Sequence, residues 1–340
     1  MLLTIIAAVF VFGLLVLVHE LGHFATAKMT NMRVDEFAIG FGPKIIGVRY
    51  GETLYSLRAI PLGGYNKIAG MDGADDEAGD RAYSAKPVTA RMLVILAGSF
   101  MNFFLPVLLF FGINFFSGVH YPSTEPLIGG VIDHKPAERA GLLAGDRIVR
   151  IDGQSIDSWQ SLVAVMQDGG GRVFKVEFER GGEPMATSLI PEYDEAEKRS
   201  MIGIVSSVTT LHPGFGESLQ LAADKTLFTL RQMIDALGRI IMGGSTADLA
   251  GPLGVAQMAG EVAQTGMVPL LHFAAMLSIN LGLVNLLPIP ALDGGHFVSL
   301  LIEAVRGRPL SPKALQYAQL IGFVLLMSLM LVATMNDISR

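Results

Sequence analysis

His19, Glu20 and His23 stand in the order His-Glu-x-x-His within "FGLLVLVHELGHFATAK", residues 12–28. On a helix, positions i and i+4 lie one above the other, about 6 Å apart along the axis, so two imidazoles at that spacing can address one point. Such a pair suits zinc, and a carboxylate on the residue after the first His reaches a water beside the metal. The chemistry implied is metal-assisted hydrolysis: the ion lowers the pKa of a water toward about 7, and Glu20 serves as general base. A catalytic zinc takes a third protein ligand. Asp293 is the leading candidate, because it follows the charge-free stretch "INLGLVNLLPIPAL", residues 279–292, directly after a Pro-Ile-Pro break. Gly294 and Gly295 would allow a tight turn there. The other use for an Asp at that position is to cap the next helix. His296, His272 and Glu303 are rival ligands.

These residues must be positioned by elements that avoid water. The 340 residues are 51% hydrophobic and 16% charged, with a mean hydropathy of +0.49, the balance of a membrane protein. A net charge of −6 gives no sign of nucleic-acid binding. The absence of cysteine excludes thiolate ligands, disulfides and a thiol nucleophile. Runs free of Asp, Glu, Lys and Arg cover 1–18, 92–124, 262–292 and 314–336, with apolar cores at 2–18, 92–116, 270–287 and 318–335. Each is near the ~20 residues of a membrane-crossing helix, so four spans are expected. Residues 1–28 are read as the first span rather than a cleaved leader, since no Lys or Arg precedes the run and it exceeds the usual ~7–15-residue apolar region. Lys and Arg concentrate in 29–91 and again at Arg306, Arg308 and Lys313. The positive-inside tendency sets both segments on the cytoplasmic side, leaving the termini and 118–269 outside. Span one and span three then end on the same side, where Asp293 can meet His19. Spans of this length place the site just inside the cytoplasmic boundary, within reach of water.

A membrane-embedded His-Glu-x-x-His with a distant Asn-x-x-Pro-x-Pro-x-Leu-Asp-Gly, here Asn285 to Gly294, resembles the site-2 protease family of intramembrane zinc metalloproteases, most of all the bacterial regulator-of-sigma-E type. The resemblance covers nearly the whole chain. It implies one zinc per chain held by His19, His23 and Asp293, with Glu20 as catalytic base, and it places the protein in the bacterial inner (plasma) membrane. Asn280 and Asn285 match positions that engage substrate; Gly98 and Asn102, in "AGSFMNF" (97–103), match a supporting Gly-x-x-x-Asn stretch. Helix packing is the plainer use for that pair. A protease must hold its substrate extended, which calls for an open strand edge. Residues 53–70 supply alternating strand positions before Gly63-Gly64 and match the family's membrane-reentrant β-hairpin on the cytoplasmic side, with Leu57, Arg58, Ala59 and Ile60 as the substrate edge. "IGFGPKI", 39–45, looks like its glycine-rich loop, and the acidic 72–80 reads as a solvated loop. The substrates implied are transmembrane segments of single-span proteins, anti-sigma factor-like or remnant signal peptides, cut in the second step of regulated intramembrane proteolysis.

Residues 124–192 change to short strands, Gly turns and ordinary charge, with a helical pattern over 157–169. They resemble one PDZ domain of the bacterial permuted type, facing outside. Leu127, Ile128, Gly129, Gly130 and Val131 would form its peptide groove, taking a peptide C-terminus by strand addition. A steric filter against bulky substrates is the equal alternative. Residues 215–243 are amphipathic, with Leu219, Ala223, Leu227, Leu230 and Ile234 on one stripe, suited to the bilayer surface or to packing on that domain.

The expected fold is thus a multi-pass α-helical membrane protein with a reentrant β-hairpin and one α+β PDZ domain. Its segments are span one at 1–28, the hairpin loop at 29–91, span two at 92–117, PDZ at 124–192, the amphipathic helix at 215–243, span three at 270–290 and span four at 316–335. A PDZ scaffold without catalysis leaves His19, Glu20, His23 and Asp293 unexplained, and an ion transporter would be expected to show an internal repeat.

Overall fold

The computed structural model describes residues 1–71, 76–167, 170–195, 198–242 and 251–339. The chain forms two compact units, one of Met1–Ser117 with Gly214–Arg340 and one of Gly118–Pro213.

In the first unit, α1 runs Leu2–Met29 without a break. Its buried residues Ala7, Val11, Leu15 and Gly22 recur at helical spacing, while Leu2, Ile5, Ile6, Val9 and Phe10 stay exposed. From Leu2 to His19 the helix rises about 26 Å, close to the ~30 Å hydrocarbon core. Two long strands follow, β1 (Val34–Tyr50) and β2 (Thr53–Ile68). The pair doubles back on itself. Val34–Ile39 lies beside Ile68–Gly64 on one side and, from Glu36, beside Leu54–Leu57 on the other, while Lys44–Tyr50 runs back along Arg58–Thr53. The result is a small sheet of four segments where the sequence suggested a hairpin within 53–70. The glycine-rich 39–45 lies inside β1 at its register break, with Gly40 and Gly42 in the left-handed region. Of the acidic stretch, 72–75 fall outside the described residues, and Asp76–Arg81 forms a 3-10 turn. Next comes α2, Val88–Gly112, extended by a π-turn over Ile113–Ser117. It crosses α1 closely at Gly22, where a Cβ would lie 2.4 Å from the Ala97 carbonyl oxygen.

The second unit holds β3 (Val119–Pro122), β4 (Ile128–Val131), α3 (Pro136–Arg139), β5 (Arg147–Ile151), β6 (Gln154–Ser155), α4 (Trp159–Gln167), β7 (Phe174–Arg180), β8 (Glu183–Leu189), β9 (Glu192–Asp194), β10 (Arg199–Met201), β11 (Ile204–Ser206) and β12 (Val208–Leu211). One sheet has the order β6-β5-β7-β8, and β11 pairs with β4, β12 with β3 and β10 with β9. Ile128, Leu142, Ile148, Leu162, Val176 and Phe178 belong to one apolar core. The unit is wider than 124–192, because its closing strands β11 and β12 pair with its opening strands β4 and β3. Asp146, buried beneath the core, is held by Arg180 through two bonds of 2.7 Å. Burial pushes that carboxyl up, but the guanidinium and the Leu143 N–H hold it below its ordinary value.

The first unit resumes with α5 (Phe215–Ile241), α6 (Pro252–Thr265), α7 (Met267–Asn285), α8 (Asp293–Arg306) and α9 (Pro312–Ser339). Among the described residues, four helices are long and apolar enough to cross a membrane: Leu2–Met29, Val88–Ser117, Met267–Asn285 and Lys313–Met335. These are the four spans expected. In α5 the packed face is Ser218, Ala222 and Thr226, while Leu219, Leu227 and Ile234 of the apolar stripe are exposed. Small residues let α5 approach α2 closely and leave the larger apolar ones free for lipid; residue 243 lies outside the described residues. The sequence reading missed α6, which packs on α1 through Ala259. Asp337 of α9 accepts the Gly251 and Gly254 N–H groups at its start, at 2.9 and 2.8 Å.

Candidate metal centre

His19 and His23, one turn apart on α1, meet Asp293, the first residue of α8. His19 Nε2 and His23 Nε2 are 3.1 Å apart, and Asp293 Oδ2 lies 3.4 Å from the first and 3.5 Å from the second. A tetrahedral zinc with ligand bonds of about 2.0–2.1 Å separates its ligand atoms by about 3.3–3.4 Å, so the three donors fit one such ion. Among the described residues they form the one group of three such donors close enough to share a metal.

The rest of the donor geometry agrees. His23 Nδ1 is 2.8 Å from the Val94 carbonyl oxygen, so Nδ1 carries the proton and Nε2 keeps a lone pair for the metal. His19 Nδ1 faces the Asn102 amide at 3.2 Å. Asn102 Oδ1 is buried without a partner. A half-turn of that amide puts Oδ1 on the His19 Nδ1–H, which satisfies the orphan oxygen and sets the same tautomer. Ser278 Oγ holds the Asn102 carbonyl at 2.8 Å, and Ser99 Oγ, fully buried, lies 3.4 Å from the Asp293 oxygen that joins the cluster. Gly98 makes the room: a Cβ there would sit 2.3 Å from His23 Nε2 and 2.8 Å from His19 Cε1.

Asp293 is delivered by the loop Leu286–Leu292, in which Ala291, not a glycine, takes the left-handed conformation. Gly294 and Gly295 are helical. They serve close packing instead of a turn, since a Cβ on either would lie 2.2–2.4 Å from a carbonyl oxygen of Leu287 or Ile289. Leu292 holds the cap position of α8, and Asp293 is its first helical residue. Two of the rivals fall elsewhere: His272 lies beside Lys225 at 3.3 Å, and Glu303 is paired with Arg91 at 2.6 Å. His296 lines the same cavity of about 210 Å³ as His19, Glu20, His23 and Asp293.

Gly64, Tyr65 and Asn66 line that cavity from the sheet. Among the described residues, Gly64–Ile68 pairs with Val34–Ile39 on one side only. Leu57 instead has Ile39 on one side and Ile46 on the other, so it is interior to the sheet; Arg58 pairs with Lys44 and Ile60 with Phe41, and none of Leu57, Arg58, Ala59 and Ile60 lines the cavity. Arg58 is spent on Glu36 at 2.8 Å and on the Gly42 carbonyl. Glu36 also accepts from Ser56 and Tyr65; burial pushes its carboxyl up, but these three donors hold it below its ordinary value. Asn66, which the sequence reading passed over, donates to Glu20 Oε2 at 2.7 Å. Asn280 and Asn285 sit on α7, exposed and half-buried, and neither lines the cavity.

The second unit has its own groove of about 270 Å³, between Trp159, Leu162 and Met166 of α4 and the run Arg199–Ile204. Leu127, Ile128, Gly129, Gly130 and Val131 do not line it. β4 is paired with β11, and Ile128 is 1% exposed in the core, so the strand beside the helix is the later one.

The description "Peptidase family M50" matches residues 7–329, a span that includes both halves of the cluster. The chain belongs to peptidase family M50. It is a site-2-type zinc metalloprotease by family. The regulator of sigma-W protease RasP of Bacillus subtilis is 32% identical over 417 aligned residues, covering 99% of this chain and 98% of its own. Zinc metalloprotease RasP of Geobacillus kaustophilus is 32% identical over 415 residues, with 99% and 98% covered. Among solved structures, the PDZ domain of an SdrC-like protein from Listeria innocua is 26% identical, covering 26% of this chain and 99% of that one at a TM-score of 0.23.

Proposed function

We propose that this M50 peptidase is an intramembrane endopeptidase of a bacterial plasma membrane, cutting the transmembrane segments of single-span proteins. The observation that carries the reading is the meeting of His19, His23 and Asp293 in one cavity with Glu20, the two histidines and Glu20 standing on a helix apolar enough to be a membrane span. His19, His23 and Asp293 would hold one zinc. When bound, zinc supplies Lewis acidity, polarising a carbonyl and lowering the pKa of a water. Glu20 takes a proton from the attacking water at its carboxylate and returns it to the leaving amide nitrogen. The substrate enters as an extended strand along the open edge of Gly64–Ile68, because a helix hides its peptide bonds in internal hydrogen bonds. Asn280 and Asn285 would meet the flanks of a longer substrate. The four-segment sheet takes the part of the reentrant hairpin, with the loops 29–87 and 286–311 on the cytoplasmic side and residues 118–213 outside.

The substrates proposed are anti-sigma factor-like proteins already trimmed outside, and remnant signal peptides. The relative named a regulator of sigma-W protease supports the first. The groove beside α4 suits a peptide C-terminus with an apolar last residue, bound by strand addition. The test is metal content of the detergent-purified chain, native and with His19→Ala or Asp293→Ala, alongside cleavage of a tagged single-span test protein. About one zinc per chain, lost in both variants, with cleavage abolished in a zinc-retaining Glu20→Gln, is the expected result. A native chain that folds but holds no zinc overturns the reading.

A further inference from the structure

Glu20 is held from the sheet. Asn66 Nδ2 donates to Glu20 Oε2 at 2.7 Å and to the Glu20 backbone carbonyl oxygen at 2.8 Å. Both acceptors belong to the same residue of α1, so the amide can be oriented only one way: turned over, its oxygen would face two oxygens. That orientation has a consequence at the other end of the amide, where Asn66 Oδ1 is buried without a partner. A buried acceptor without a partner is costly, because it has given up its hydrogen bonds to water and gained none. An apolar side chain of the same size would fill the place without that cost, so packing alone does not account for an amide here. The same residue lies on Gly64–Ile68, the open edge that lines the cavity, and Gly64, two residues before it, approaches so closely that a Cβ there would be 2.9 Å from Glu20 Cγ.

We infer that Asn66 is a positioning residue for the catalytic carboxylate: it fixes Glu20 Oε2, leaves Oε1 as the free oxygen that handles the proton, and ties the setting of the base to the strand that receives the substrate. This rests on the endopeptidase reading of Glu20 given above. Asn66 contacts no metal-cluster residue in any hydrogen bond described, so it acts through Glu20 alone.

The test uses the full chain in detergent, with Asn66→Leu (shape kept, donor lost), Asn66→Asp (shape kept, donor replaced by a charge that repels Glu20) and Asn66→Gln (donor kept). The probe is a tagged single-span protein whose transmembrane helix carries a central Ala-Gly-Ser stretch. Expected are an unchanged zinc content in all three, a fall in kcat of about tenfold in Asn66→Leu with KM within about twofold, a larger fall in Asn66→Asp and partial retention in Asn66→Gln, in the range set by loss of one hydrogen bond to a charged group. Thermal stability gives a readout that needs no turnover. Asn66→Leu should raise Tm more in a Glu20→Ala background than in the native one, by about 1–2 °C. Additive Tm effects, or an Asn66→Leu kcat equal to native, overturn the inference. A native chain that fails to cleave the probe while the Tm coupling holds counts against the endopeptidase reading and not against the contact.

Discussion

At the metal cluster each imidazole is aimed by a bond to another helix, His23 to the Val94 carbonyl and His19 to Asn102. Across the same cavity, Gly64–Ile68 is aimed by backbone pairing with Val34–Ile39. The first arrangement depends on which side chains are present and how far apart they stand on a helix. The second depends on how the chain doubles back, and almost any residue could pair there. The difference teaches that the two halves of the candidate site can fail in separate ways. Damage to the first should cost metal; damage to the pairing that sets the second should cost substrate affinity while the metal stays.

The sharpest test of the first half is Gly98→Ala. Alanine favours a helix over glycine by about 1 kcal/mol, so α2 itself should be no weaker. Yet the new methyl would sit 2.3 Å from His23 Nε2, so the imidazoles would have to leave their places. Zinc measured on the purified chain should fall to background, with Tm near native; native zinc content would show that the imidazoles have other room. Asn102→Ala should do less. It removes the partner that sets the His19 tautomer but no donor to the metal, and such losses reduce metal affinity about 10–100-fold. Competition with a chelator of known affinity measures it, and an unchanged affinity would mean that water replaces the amide.

The two halves were also unequally legible. The His-Glu-x-x-His spacing is a helical distance, so His19, His23 and the cavity-facing Glu20 could be read from the sequence, and the Pro-Ile-Pro break pointed to Asp293 at a helix start. The four apolar runs were legible for the same reason: a bilayer demands one residue class over a known length. The sheet was not. Its interior and edge segments share the same alternation, and only the doubled register separates Leu57, paired on both sides, from Gly64–Ile68, paired on one. Asn66 carried no signal, since its partner lies 46 positions away. In the second unit, β4 and the strand beside α4 are both short, and nothing in their composition tells which of them borders the groove.

In the sheet half, Glu36→Gln is the side-chain change with most to move, because Glu36 gathers Ser56, Arg58 and Tyr65 behind the edge. The neutral amide keeps the size but loses the charge that holds Arg58. Zinc content should be native, kcat little changed and KM for the single-span test protein raised severalfold. Loss of zinc in this variant would erase the division between the two halves.

The smallest effect expected lies at the turn of the long strand pair, where the comparison meets acid. Glu52 binds Arg81 through two bonds of 2.8 and 2.7 Å and Lys28 at the end of α1 through one of 2.6 Å. Arg81 first and Lys28 second hold its carboxyl down at about 2, against an ordinary value of 4.5. A carboxyl depressed by folding adds stability that is fully present above its unfolded value and is lost as pH falls through its folded one. The tie between α1 and the sheet should therefore weaken between pH 4.5 and about 2. With its side chain 31% exposed, Glu52 is screened by solvent, and its share is small. The measurement is the Tm difference between the native chain and Glu52→Gln, followed from neutral pH downward. It should be constant through the neutral range and shrink once pH enters that window. A difference that stays constant to the acid limit would mean that the carboxylate's charge does not hold the turn, and that the sheet keeps its place against α1 by other contacts, among them the packing of Phe24 on Phe37 and Tyr55 and the Asn66 bonds to Glu20.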